Sequence, residues 1–367
     1  METLLISLLR ILEFILVLGV LVFLHELGHF LMSRLFKIEI EEFGFGFPPR
    51  MVKLFTLGGT DFTINWIPFG AFVRPKGEND PEVAGGLASA NPWARLAILL
   101  GGPVMNLLTG VILFTIMFNQ GTYYDITRVV IAEVQTDSPA QQAGLMPDDL
   151  ILSIDGKRVD GTSRLQTLVL ARAGQEITIV VDRGGQQFTF TTTPRVNPPA
   201  GQGALGIQMT NPIVQNQTLA GAANMALRYT WQQCVELLRL PGRLIAGTIS
   251  PEESRVVGPV GMYNMYDYFR DLDEEASQSG ETNPAATTNA LRMIAIISVA
   301  LGFTNLLPIP ALDGGRILLT LPELITGRRQ ISVKLENSLN AIGFFLLLAL
   351  LAFVTLQDIF NPLQLIK

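Results

Sequence analysis

The chain has 367 residues, 49% of them hydrophobic and only 16% charged, with a mean hydropathy of +0.37. Soluble domains carry about 25% charged residues, so the deficit points to a membrane protein and the lipid bilayer as its solvent. A net charge of −6 with no basic block argues against a nucleic-acid partner. The single cysteine, Cys234, excludes an intrachain disulfide framework.

The first apolar run, residues 4–35, is long enough to cross a bilayer, which takes roughly 20 helical residues. It is too long for a signal peptide, lacks a small-residue cleavage site and continues past two histidines, so it reads as a retained span. Arg10 and Glu13 in its opening turns read as snorkelling or paired with each other near an interface. Residues 37–93 then hold "MVKLFTL-GGTD-FTINWI", the pattern of a membrane-associated β-hairpin turning at Gly58 and Gly59, expected on the cytoplasmic side. The second span is 94–118.

A polar block follows. Its first part, 123–195, alternates "RVVIAEV", "EITIVVD" and "QFTFTTT" with glycine turns, which predicts a small α+β domain. Residues 196–290 carry an amphipathic helix near 217–249, suited to the membrane surface. The acidic stretch 271–284, "DLDEEASQSGETNP", reads as an exposed linker. The third run, 291–320, contains "NLLPIPALDGG", in which Pro308 and Pro310 interrupt helical hydrogen bonding. The fourth is 339–356, and no internal repeat is present. Short-loop charges (Arg328, Arg329 and Lys334 after run three; Lys37, Arg50, Lys53, Arg74 and Lys76 after run one) favour the cytoplasm for those loops. The 123–195 domain and both termini then lie outside.

The chemistry is concentrated in "VFLHELGHF". His25-Glu26-Leu27-Gly28-His29 is an H-E-x-x-H pattern on a predicted helix, and residues four apart share a face, so both imidazoles can reach one metal ion. Zinc takes such ligands, and in catalytic sites three protein groups plus water. It lowers the pKa of that water to about 7. Glu26 projects beside such a metal and can take the water's proton and return it to a leaving amine. Three ionisable groups within five residues of an apolar helix have no cheap packing role. Asp313, the only acid in a long apolar stretch, offers a third ligand, and under the topology above it reaches a depth similar to the histidines; its alternative reading is an N-cap where a helix restarts. Asn106 and Asn305 are embedded amides that either tie helices together or hold substrate and polarise a scissile carbonyl.

Taken in order, "HELGH", "GGPVMN", "VGPVG" (257–261) and "NLLPIPALDGG" resemble the site-2 protease family of intramembrane zinc metalloproteases, in particular its bacterial envelope-stress branch. The resemblance covers nearly the whole chain. It implies His25, His29 and Asp313 as zinc ligands and Glu26 as catalytic acid/base. It also puts Asn106 and Asn305 at positions implicated near the cleft and in substrate binding. The stretch "DSPAQQAGLMPDDLILSIDGKRV" (137–159) resembles a PDZ core, with Gly144 and Leu145 in a turn and a strand ending at Asp155-Gly156. Such a domain binds an extended peptide at a sheet edge or serves as a steric filter; only one fits in 123–195, where studied relatives have two. The resulting expectation is a polytopic α-helical membrane protein of four transmembrane helices with a membrane-associated β-hairpin and an inserted α+β PDZ domain. Its place would be the bacterial inner membrane and its substrates single-span membrane proteins, such as anti-sigma factors or remnant signal peptides. The alternatives are a membrane-anchored PDZ scaffold with an inactive metal site, or a divalent-metal transporter.

Overall fold

A computed structural model describes residues 2–78, 80–120, 123–199, 202–214, 218–246, 255–280, 287–327 and 331–362. Arg328 and Arg329, used above for orientation, lie outside these residues, as do 281–284 of the acidic stretch. Helix α1 (Glu2–Leu35) leads into two long strands, β1 (Ile40–Leu57) and β2 (Thr60–Pro75), and then α2 (Pro92–Gln120). Next come β3 (Tyr123–Tyr124), β4 (Val129–Val134), α3 (Pro139–Ala143), β5 (Leu150–Ile154), β6 (Lys157–Arg158) and α4 (Thr162–Leu170). They are followed by β7 (Ile177–Arg183), β8 (Gln186–Thr192), β9 (Ile207–Thr210) and β10 (Ile213–Val214). The rest is helical: α5 (Leu219–Ile245), α6 (Pro259–Gln278), α7 (Asn289–Asn305), α8 (Asp313–Thr326) and α9 (Val333–Phe360). The chain divides into two compact units. One comprises residues up to Phe114, Arg255–Thr282 and Ala286 onward; the other comprises 115–254 with 283–285.

Helices α1, α2 and α9, which lie in the first unit apart from the last six residues of α2, are each long and apolar enough to cross a membrane. The third expected span is not one helix. Helix α7 has 17 residues, about 25 Å at 1.5 Å per residue and short of the roughly 30 Å hydrocarbon core. The chain leaves it at Leu306 and restarts as α8 at Asp313, because Pro308 and Pro310 lack the amide protons a continuing helix needs. Glycines set the helix spacing. A side chain on Gly28 of α1 would run into the backbone of Gly101 in α2, one on Gly302 of α7 into the Pro103 carbonyl, and one on Gly110 into Val299. Helix α2 is thus clasped between α1 and α7 at backbone contact distance, the small-residue packing expected where lipid supplies no hydrophobic drive.

The expected hairpin forms, with Leu57 opposite Thr60 across Gly58 and Gly59, but its first arm does more than pair once. Phe43 has partners on both sides, Phe62 and Val73, so residues 71–75 return alongside 40–45. An aromatic cluster fixes this sheet to the histidine-bearing helix: Phe43 lies 5.5 Å from Phe23 and 5.7 Å from Phe30, ring centroid to centroid. Arg34 at the foot of α1 donates to Gly58 O and Thr60 Oγ1, both at 2.7 Å.

Two readings of charged residues are corrected. Arg10 does not pair with Glu13; it reaches Asp267, Asp271 and Glu274 on α6, at 2.8, 2.6 and 3.0 Å. The acidic stretch from 271 is not a linker as far as residue 278 but the second half of α6. Asp273 within it is buried and accepts from the backbone N–H of Asn289 and Ala290, at 2.8 and 3.0 Å, satisfying the start of α7. Acids that composition marks as solvated have partners on two other helices. The "VGPVG" segment has a structural task of the same kind: buried Asp358 of α9 accepts from Gly261 N at 2.8 Å and Arg255 Nη2 at 3.1 Å.

The second unit is built on an antiparallel sheet of order β8-β7-β5-β4-β9, with β6 paired to β5. Ile177, Ile179 and Val181 alternate into its core with Val129, Ile131, Ile151 and Ile154, the period-2 pattern of a one-sided sheet. The sheet does not end at 195, because β9 pairs with β4 at its edge; the Pro/Gly-rich stretch before β9 hides this in the sequence. The Asp155-Gly156 turn after β5 falls where expected, with φ of 48° and 74°.

Candidate metal centre

Helix α1 buries one stripe, Phe14, Leu21, His25 and Gly28, so the packing that seats the helix also carries His25 inward. His29 follows one turn later. Asp313 arrives from a different element, as the first residue of α8 after the proline-broken segment. There His25 Nε2 lies 3.1 Å from Asp313 Oδ2, His29 Nε2 lies 3.4 Å from the same oxygen, and the two Nε2 atoms are 3.2 Å apart. Ligands about 2.0–2.1 Å from a tetrahedral zinc ion are separated by about 3.3 Å. The triangle of donors therefore has the edge length that one zinc ion requires.

Two further observations support that fit. His29 Nδ1 donates to Ile98 O at 2.7 Å, which places the ring proton on Nδ1 and leaves the lone pair on the inward nitrogen, as a metal ligand needs. Gly102 of α2 stands opposite the pair, where a β-carbon would be 2.6 Å from His25 Nε2 and closer to His29 Nε2. The helix thus leaves empty the volume into which both nitrogens point.

The donors line a cavity of about 260 Å³ shared with Glu26, Phe72, Val73, Asn305 and Arg316. Glu26 stands beside the donor triangle, outside it, and its Oε2 accepts from Val73 N–H at 3.0 Å. Asn305, at the last turn of α7, lines the cavity and donates from Nδ2 to Leu301 O at 2.9 Å. Asn106 does not line it. Its amide lies behind His25, with Nδ2 3.3 Å from Nδ1, and its backbone carbonyl accepts from Ser298 Oγ at 2.8 Å. Arg316 is held by Glu78 at 2.8 Å.

The structure thus brings together the four residues on which the sequence converged and separates the two amides. Sequence reasoning missed Val73, because no local pattern reveals that β2 returns to α1. It also missed Gly102, although the paired glycines of "GGPVMN" in a membrane-type helix were a usable signal for close approach.

Known proteins agree with this chemistry. Residues 13–350 match the profile of Peptidase family M50. "Putative zinc metalloprotease mll0638" of Mesorhizobium japonicum is 29% identical over 95% of this chain and 98% of its own. "Putative zinc metalloprotease Atu1380" of Agrobacterium fabrum is 30% identical over 95% of both chains. A solved structure, "HtrA-type protease AlgW with decapeptide", matches only 19% of this chain and 22% of its own, at 39% identity and a TM-score of 0.18, too partial to carry a fold. The full-length matches and the converging donors lead to one conclusion: the chain belongs to Peptidase family M50, the site-2 protease family, and is a zinc metalloprotease with membrane-type helices.

Proposed function

We propose that this protease cuts single-span membrane proteins within or near the bilayer, with His25, His29 and Asp313 holding the zinc and Glu26 acting as base and then acid. One observation carries the reading: three donors meet at tetrahedral-edge spacing, two of them on a helix of membrane-crossing composition. Zinc bound there would polarise the scissile carbonyl and make water nucleophilic near neutral pH. Glu26, beside the donors, takes the proton of the attacking water and passes it to the departing amide nitrogen. Asn305 keeps an amide oxygen with no partner among the described residues, free to meet a substrate backbone at the cavity wall.

A spanning substrate arrives as a helix, and unwinding it leaves backbone groups whose exposure to lipid costs several kcal/mol each. Residues 71–75 offer a remedy. Among the described residues they pair only with 40–45, and Val73 N–H points to Glu26 instead of the ladder. An unwound segment adding to this edge would lie beside the base. Exposed Met51, Leu54, Phe55, Leu57 and Trp66 on the same sheet support its membrane association.

The wider setting follows the same reading. The protein is multi-pass in a bacterial inner membrane, with α7 and its break as the third of four crossings. The metal lies toward the cytoplasm, and the strand-rich unit is an extracytoplasmic PDZ domain. An apolar cavity of about 360 Å³ between edge strand β9 and α4, lined by Leu165, Val169, Leu205, Ile207 and Met209, supports capture of an extended peptide there. Anti-sigma factors trimmed on the outside and remnant signal peptides are the expected substrates. The test is Glu26→Gln with a tagged single-span substrate and bound zinc measured in parallel. Retained zinc with lost cleavage is expected; undiminished cleavage overturns the mechanism, and metal flux through the variant would favour a transporter.

A further inference from the structure

Asn106 is 1% exposed, and the two ends of its amide are in different situations: Nδ2 lies 3.3 Å from His25 Nδ1, while Oδ1 is buried with no hydrogen-bond partner among the described residues. Counting protons on His25 explains why both ends matter. Where Asn106 Nδ2–H donates to Nδ1, the ring proton has to be on Nε2, which lies 3.1 Å from Asp313 Oδ2. That arrangement places one proton among three inward-facing acceptors that would otherwise repel. A zinc ligand offers a lone pair, and Nε2 is the nitrogen facing His29 and Asp313. The proton must then be on Nδ1, where it meets an amide N–H, donor against donor.

The same amide can resolve this. Turned by half a rotation about its terminal torsion, it presents Oδ1 to Nδ1–H, so the oxygen gains a partner and Nδ2 moves to the place the oxygen held. We propose that Asn106 is a positioning residue whose amide follows the tautomer of His25, donating to Nδ1 in the metal-free site and accepting from Nδ1–H once Nε2 holds zinc. The proposal rests on reading His25 as a zinc ligand. The ring stays neutral throughout: its proton moves from Nε2 to Nδ1, and the net proton count does not change. His29 behaves differently, because its Nδ1 faces the Ile98 carbonyl at 2.7 Å, which only accepts. One ligand is preset and the other adjusts. An amide serves both tautomers; an aspartate at 106 would only accept, and a leucine would do neither.

The chain contains only two histidines, so 15N-histidine labelling of the full chain in detergent micelles gives two imidazole spin systems, assigned with His25→Asn. Long-range proton–nitrogen spectra should show His25 protonated on Nε2 without metal and on Nδ1 with zinc, while His29 stays protonated on Nδ1. A His25 tautomer unchanged by zinc overturns the proposal. In chelator competition, Asn106→Leu should bind zinc about 10–100-fold more weakly, the usual loss when the partner of a metal-bound histidine is removed. Asn106→Asp should hold it at least as tightly as the native chain. Wild-type affinity in Asn106→Leu would overturn the proposal, as would an equal loss in both variants, which is what a packing role predicts. His25→Ala separates the two levels: if it keeps wild-type affinity, the ligand reading fails, whatever Asn106 does. The wild-type spectra decide the matter even if Asn106→Leu does not fold.

Discussion

Gly102→Ala adds one methyl group at the point where the structure leaves room for a metal. The new β-carbon would stand 2.6 Å from His25 Nε2 and closer to His29 Nε2. Ordinary contact is about 3.5 Å, so the imidazoles or α2 must give way by about 1 Å. Zinc ligation tolerates distance changes of only about 0.2 Å, and a misplacement of about 1 Å costs on the order of 10²-fold in rate. The helix itself gains, since alanine is favoured over glycine there by about 0.5–1 kcal/mol. The expected result is therefore a folded protein with unchanged helix content, weaker zinc binding in chelator competition, and cleavage reduced on the order of 100-fold. Gly19→Ala in α1 is the control, because nothing lies within 4 Å of its added carbon; it should leave zinc and activity alone. A Gly102→Ala protein that binds zinc and cleaves at wild-type levels would refute the placement of the metal against α2.

Three other consequences can be tested directly. Val73→Pro removes the donor to Glu26 and the outward edge donor without removing a ladder bond; cleavage of a helical membrane substrate should fall more than that of an unstructured peptide, and equal rates for both would refute the edge-docking role. Asp358→Ala leaves Arg255 buried without its carboxylate, which should cost about 3–5 kcal/mol and lower the thermal midpoint; an unchanged midpoint would mean the guanidinium reaches water. Burial pushes the Glu42 carboxyl up, but hydrogen bonds from Arg50 and Thr63 and the charges of Arg50 and Arg74 hold it below its ordinary value. A lowered folded value means this stabilisation is complete above about pH 4.3 and is lost as pH falls through the folded value. Glu42→Gln should flatten that acid limb in thermal midpoints, and a variant with the native acid limb would contradict the assignment.

The elements most legible in the sequence were those that lipid constrains hardest. A crossing helix needs about 20 apolar residues whatever its neighbours, so the expected spans 4–35 and 94–118 match α1 and α2 to within two residues at each end, and 339–356 lies inside α9, which starts six residues earlier and ends four later. The histidine pair was legible because a spacing of four is a property of the helix itself. Pairings across hundreds of residues were not. Arg10 meets Asp267 across 257 positions, and nothing local distinguishes those acids from a solvated run. The second partner of Phe43 and the edge strand β9 were hidden for a related reason: strand alternation reveals a face, but not which strand lies beside it.

Asp313 shows why the broken segment and the metal belong together. A carboxylate in the middle of an uninterrupted apolar helix would have only lipid and satisfied backbone around it. Here the helix stops at Asn305 and restarts at Asp313, so the charge sits in the first turn of α8, where free N–H groups and the helix dipole favour a negative group. Glycines make the restart feasible. Any side chain on Gly314 would meet the Leu306 and Leu307 carbonyls, and any on Gly315 the Ile309 carbonyl. Helix α9 closes the other side, where Gly343 lies against the Pro310 carbonyl and Asn340 Oδ1 accepts from Ala311 N–H at 3.3 Å. The "NLLPIPALDGG" sequence thus works as one device. The prolines end one helix, the glycines let the next begin against its remains, and the acid takes the one backbone position that stabilises it while aiming it at two histidines 288 and 284 residues earlier.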